Sequence, residues 1–405
     1  MRRIIDLTWL AWLLLPIFIM CGCAAPTLEA LVPVRPSRLP RFADDMHFDG
    51  LEHSIRQSIA YLNRVPSDKE FVFGNDRYSA AHMILSLETF ITFIHSRPSS
   101  GQIRQFLREN YRVYRSAGKD GNRQVLFTGY YEPFLKGTAE RNGAYTIPIL
   151  GRPDDLVRID LSLFSERFTG ETIVGRLADF TLVPYYDRRQ IEQNGFLNGR
   201  APVLAWLKDP VDLFFLQIQG SGRIFLNNGA VLNVHYDSTN GHPYRSIGRL
   251  LIDEGKIPKS EMSMQQIRTY LHNHPEERET ILYHNPSYVF FKLETDGPIG
   301  YLEVKLTPGR SIAVDYRLFP LPALAYIETE KPLVGGSGEI IRWEKFSRFA
   351  VSQDTGGAIR GPARSDLFWG NGTYAEIAAG HMQHKGKLYF LVLKPDRDAS
   401  PEAAQ

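Results

Sequence analysis

Cysteine is almost missing: the 405 residues hold two, Cys21 and Cys23, both at the end of the apolar run near the N-terminus. Were Cys23 the first residue of an exported chain, the rest could form no internal disulfide, which excludes cysteine catalysis and Cys-ligated metal. An excess of charge is missing too. Lys+Arg number 47 against 45 Asp+Glu, a net +2, so no global field draws in nucleic acid. There is no P-loop, no His-Glu-x-x-His, no calcium loop and no Gly-x-Ser-x-Gly elbow. Gly220-Ser221-Gly222 is a Gly-rich turn, but no helical pattern opens from it, which excludes a phosphate cradle. His272 and His274, flanking Asn273, read as surface histidines. No cofactor and no metal is implied, and no internal repeat or low-complexity segment appears.

What is present is a globular composition, 43% apolar and 23% charged, with length for two ordinary domains. Aromatics are plentiful at 24 Phe, 19 Tyr and 5 Trp. Most are core mass, but many Tyr fall in Gly-containing loops, where rings serve as platforms for flat neutral ligands. Met1-Arg2-Arg3 followed by apolar Leu7 to Met20 reads as an export signal, too short to span a bilayer comfortably. Gly22-Cys23 fits a lipoprotein junction better than Met20-Cys21, so Cys23 is the expected lipidation site. Ala24 is not the Asp that argues for inner-membrane retention, so the expectation is an exported outer-membrane lipoprotein facing the periplasm.

Pro26, Pro33, Pro36 and Pro40 mark residues 24–45 as a tether. Apolar spacing predicts helices over 51–62 (Leu51, Ile55, Ile59, Leu62), 84–94 (Ile84, Leu87, Phe90, Ile91, Ile94) and 103–114 (Ile103, Phe106, Leu107, Tyr111, Tyr114). After Asp120 short β-type runs dominate: 124–131, 145–150, 213–218, 223–226, 230–236, 288–293, 301–305, 340–351 and 388–393. Asn227-Asn228-Gly229 predicts a hairpin turn, and two helical interludes fall at 246–255 and 264–273. From Pro395 the tail is polar and expected to fray.

The sharpest chemical feature is carboxylates among glycines: Gln353-Asp354-Thr355-Gly356-Gly357-Ala358-Ile359-Arg360-Gly361, then Ser365-Asp366-Leu367-Phe368-Trp369-Gly370. Gly356 and Gly357 leave room for a bulky ligand to approach the backbone. Asp366 precedes an apolar wall, and desolvation there raises a carboxyl pKa so that it keeps a proton to donate. An aspartate in such a loop otherwise forms turns with its own backbone. Two more clusters, Thr128-Gly129-Tyr130-Tyr131 and Gln217-Ile218-Gln219-Gly220-Ser221, suggest a groove. Strand alternation would put Gln217 and Gln219 on one face, amides suited to hydroxyl and acetamido groups; the alternative is a satisfied polar barrel face.

Taken in order, Phe127-Thr128-Gly129-Tyr130-Tyr131-Glu132-Pro133, Asp212 to Gly222, Asn285 to Phe291 including Tyr288, Ser311 to Asp315, and Asp354 to Gly361 with Asp366 resemble the membrane-bound lytic murein transglycosylase A family. The likeness runs from about residue 100 to 394. It implies a mainly β fold with N-terminal helices (α+β), in which a double-psi β-barrel (46–138 and 285–395) takes up an inserted β-rich domain (139–284). The glycan groove would lie between them. It also implies that Asp366 is the catalytic acid, with Asp354 and Asp315 beside it. Thr128, Gly129, Tyr130, Gln217, Gln219, Gly220, Ser221, Tyr288, Gly356 and Gly357 would meet substrate. The implied reaction cleaves the β-1,4 bond between N-acetylmuramic acid and N-acetylglucosamine of peptidoglycan, leaving 1,6-anhydromuramoyl ends. The implied partners are peptidoglycan strands and, through a lipid, the outer membrane, with a monomer as the expected state. One departure is Pro320-Leu321-Pro322, where the family has a Pro-Leu-Gly turn after the first aspartate. A two-carboxylate murein hydrolase and a non-catalytic, expansin-like wall-binding protein are the rival readings.

Overall fold

The computed structural model describes residues 29–395; the expected signal, Cys21, Cys23 and the tail from 396 lie outside the described residues. Six strands close on themselves in the order His384–Leu393, Leu324–Val334, Ile340–Asp354, Ser311–Ala313, Arg364–Asn371 and Val125–Glu132, and the last pairs back with the first. Two of these pairings are parallel, Ser311–Ala313 with Ile340–Asp354 and Arg364–Asn371 with Val125–Glu132. Phe127, Ile312, Leu324, Ile327, Phe349, Leu367, Leu388 and Phe390 belong to its buried core. Tyr111–Ser116 extends the sheet along His384–Leu393, and helices Leu51–Leu62 and Ala80–Ile94 bury their apolar stripes on the barrel.

A second, four-stranded sheet runs Val289–Glu294, Val231–Thr239, Ser221–Leu226, Phe134–Gly137 over its own core of Ile149, Leu213, Leu216, Ile224, Val234 and Phe291. Phe134–Gly137 and Val289–Glu294, which the expected boundaries put with the barrel, therefore pair in the inserted sheet. The chain leaves the barrel at Pro133 and re-enters it after Glu294. The hairpin over 227–229 forms between Ser221–Leu226 and Val231–Thr239.

Four expectations are corrected. Residues 213–218 are not a strand but part of helix Pro210–Gln219. The Asp209 side chain accepts from Val211 N–H at its start, Pro210 opens its first turn, and Gly220 closes it at φ +80°. This helix lies between two cores and buries Val211, Leu213, Phe214, Phe215 and Leu216, so its apolar run carries no helical period to read. The helix expected over 103–114 stops at Asn110, and Tyr111 begins a strand. Residues 301–305 form turns rather than a strand, with only the bridge Ile299–Lys305. The proline-rich stretch is no free tether from residue 29 onward: Leu31–Pro33 pairs with Tyr111–Ser116 and Phe42 is fully buried. Helices Pro275–Tyr283 and Gly372–His381 were not anticipated.

Candidate active site

Ala313 pairs in register with Asp354 on one side and Asp366 on the other. The short central strand therefore brings two aspartates from distant sequence to the same end of the barrel, and Asp315 follows two residues on. Thr128 faces Asp366 in the parallel pairing, and its hydroxyl donates to Asp366 Oδ1. Arg364, two residues before Asp366 and hence on its face of the strand, holds its Nε 3.6 Å from the same oxygen. Asp366 Oδ2 takes no hydrogen bond from the protein among the described residues, and the side chain is 17% exposed.

The other two carboxylates are fully engaged. Asp354 Oδ1 accepts from Tyr301 N–H and Thr355 N–H, both at 2.9 Å, and Oδ2 accepts from the Tyr130 hydroxyl at 2.8 Å. Asp315 accepts from Arg317 Nε at 2.9 Å on Oδ1, and from Arg317 Nη2 and Gly361 N–H at 2.8 Å each on Oδ2. Their electrostatics divide accordingly. Burial pushes Asp354 up to about 6 despite its donors, helped by the charge of Asp366. Burial also raises Asp366, against the pull of Arg364 and Thr128. Burial acts on Asp315 too, but the Arg317 and Gly361 hydrogen bonds win and hold it below the usual range. Asp315 thus acts as a brace between the turn at Arg317 and the loop at Gly361, with the 320–322 departure leaving those contacts in place. Burial raises the Tyr130 hydroxyl well above its ordinary range, so it stays a donor to Asp354.

Tyrosines surround the carboxylates. Tyr301 stacks on Tyr316 with ring centroids 5.4 Å apart, and both rings are exposed; Tyr301 is also the residue whose backbone holds Asp354. Tyr244, from the inserted part of the chain, lies close enough to Arg364 and Asp366 to feel both charges.

The expected substrate-contacting residues fall into three groups. Thr128 and Tyr130 sit in the site as described, and Gly357 lies on an open loop where an added Cβ would meet nothing within 4 Å; at Gly356 it would come to 3.2 Å from Ile359. Gly129 serves packing instead: a Cβ there would come 2.7 Å from the Trp369 ring and 2.8 Å from Ala379 Cα. Gln217, Gln219, Gly220, Ser221 and Tyr288 are placed elsewhere. Gln217 and Gln219 lie on a helix rather than sharing a strand face; Gln217 is buried with Nε2 donating to Val289 O, and Gln219 Oε1 accepts from Tyr131 N–H at 2.9 Å. Gly220 caps that helix, Ser221 is buried, and Tyr288 is 1% exposed under Arg188. Sequence reasoning missed Arg364, although its two-residue spacing from Asp366 was readable. It also missed Tyr301, whose turn conformation was not.

The chain matches the family descriptions "MltA specific insert domain" over residues 126–292 and "3D domain" over 310–392. It is 32% identical over 300 residues to "Membrane-bound lytic murein transglycosylase A" of Escherichia coli (strain K12), covering 73% of each chain. Among solved structures, a membrane-bound lytic murein transglycosylase from Agrobacterium tumefaciens superimposes with a TM-score of 0.72 at 32% identity, over 90% of this chain and 98% of that one. E. coli MltA with bound chitohexaose gives 0.69 at 26% identity, over 91% and 95%.

Proposed function

The chain belongs to the membrane-bound lytic murein transglycosylase A family and is a peptidoglycan-cleaving lytic transglycosylase, and from that premise we propose that Asp366 alone carries both proton transfers of its reaction. The observation that supports this is the free oxygen: among the described residues, Asp366 is the one of the three aspartates with an oxygen that takes no hydrogen bond from the protein. In the first step protonated Asp366 gives its proton to the leaving glycosidic oxygen as the bond to the muramoyl anomeric carbon breaks. In the second the Asp366 carboxylate takes the proton of the muramoyl C6 hydroxyl as that oxygen bonds to the anomeric carbon. No water enters, and the ends are 1,6-anhydromuramoyl and a free N-acetylglucosamine hydroxyl. Asp354 orients Tyr130 and the Tyr301 turn and adds negative charge that stabilises the cationic transition state. Asp315 positions the loop at Gly361.

The glycan lies between the barrel and the inserted sheet, with Thr128, Tyr130, Tyr301, Tyr316 and Gly357 along its path. A structure of the similar E. coli protein holds chitohexaose, a neutral sugar chain of the kind that exposed tyrosine faces stack on. The relatives are membrane-bound by name, and among the described residues no helix is long and apolar enough to cross a membrane. Anchoring through a lipid on Cys23, with the enzyme on the outer membrane facing the periplasm, reconciles the two. Metabolic labelling with an alkyne fatty acid tests the anchor: label on the native chain and none on Cys23→Ser is expected, and label retained by Cys23→Ser contradicts it.

A further inference from the structure

Behind strand Val125–Glu132 lies a cleft that the reaction above does not use. Tyr130 turns to Asp354, so its neighbour Tyr131 faces the opposite way. There a cleft of about 790 Å³ opens with Pro133, Phe134, Leu135 and Pro210 among its walls. That volume suits a ligand of a few residues.

The charges lining it do not balance. Asp212 is taken by Arg268 and Asp209 by His272, both at 2.6 Å, and Glu376 sits beside the Tyr131 hydroxyl. Lys136, Lys208 and Arg278 also line the cleft and form no ion pair among the described residues. The Nε atoms of Arg268 and Arg278 are buried without an acceptor among the described residues, an arrangement that a bound oxygen relieves. The three uncommitted cations come from a strand, a loop and a helix, and Pro133, Phe134, Leu135 and Pro210 line the same cleft. This pattern suits carboxylates spaced along an amphipathic chain better than one compact anion.

We propose that this cleft binds the carboxylates of a short acidic peptide, with Arg278, Lys208 and Lys136 as their partners. For the source of the peptide alone, the inference rests on the proposed function: murein glycan carries such peptides on its muramoyl residues.

The test uses the full chain in detergent and, as probe, the tripeptide L-Ala-γ-D-Glu-meso-diaminopimelate in calorimetric titration. Binding that weakens with salt, and by about tenfold or more in the double variant Lys208→Gln/Arg278→Gln, is expected. Arg278→Lys keeps most of it. No heat with the native chain, or equal affinity in the double variant, overturns the proposal. Cleavage of glycan with and without its peptides separates the sources. A KM advantage for peptide-bearing glycan that the double variant loses at unchanged kcat identifies the substrate's own peptides. Tripeptide binding without such an advantage identifies a free peptide. If the native chain cleaves neither glycan the proposed reaction fails, while the titration still decides the cleft.

Discussion

One atom distinguishes the three aspartates. Asp315 and Asp354 have both oxygens bound by protein donors, whereas Asp366 Oδ2 takes no donor among the described residues. The same geometry dictates the pH response. With Asp366 as the proposed acid, the reaction starts from its protonated form, so kcat/KM is expected to fall as pH rises through its raised pKa. The Thr128 hydroxyl stabilises the charged form, so Thr128→Val shifts that alkaline limb upward while lowering the maximum, and a pH–rate profile reads both. Asp354 bears on stability. Its folded pKa of about 6 lies above its ordinary 3.8, so folding is favoured when it is protonated, and stability is lost as pH rises from about 4 through 6. The size is on the order of 3 kcal/mol, at 1.36 kcal/mol per unit. Urea melts are expected to show Asp354→Asn losing this decline and standing above the native chain at pH 8 relative to pH 4. At this scale the sequence was informative where chemistry is local. The apolar residues after Asp366 announced its desolvation, and of the Gly-Gly pair after Asp354 Gly357 lies open while Gly356 packs near Ile359. Tyr288 and the two glutamines could not be placed, because burial depends on segments distant in the chain.

Elements were legible where period and punctuation agreed. Leu51–Leu62 shows a clear helical stripe, and Asn227-Asn228-Gly229 holds a hairpin. Pro210–Gln219 misled because a helix covered by two cores is apolar all round, although Asp209-Pro210 and Gly220 bracket it as start and stop. The segment before the first helix misled in the opposite direction: its prolines hid buried anchors. Arg310 grips Asp44 through Nη1 at 2.6 Å and Nη2 at 2.8 Å, and the pair is 0% and 2% exposed; Arg348 grips Asp45 at 2.8 Å through both Nε and Nη2. Removing one partner leaves a buried charge uncompensated. Asp44→Ala is therefore expected to cost about 3–5 kcal/mol in denaturant unfolding, and a loss within experimental error contradicts the anchoring role. Exposed Glu52, which Arg56 and His95 contact, is the control: Glu52→Ala is expected to cost under about 1 kcal/mol.

At the scale of the whole molecule, the closed six-stranded barrel accounts for how residues 128, 315, 354 and 366 meet. Neither composition nor periodicity contains that closure; the ordered motifs did, through the family they resemble. Strand Val125–Glu132 presents Thr128 and Tyr130 to the aspartates and Tyr131 to the cleft lined by Lys136, Lys208 and Arg278. Murein digestion tests the single-aspartate lytic reaction most directly. Full-length native protein and its Asp366→Asn variant are incubated with purified murein, and the muropeptide ends are identified by mass spectrometry. Expected are 1,6-anhydromuramoyl ends from the native protein and a rate lower by about 10²–10⁴-fold in the variant. Reducing ends, or an Asp366→Asn protein that keeps the native rate, would contradict it.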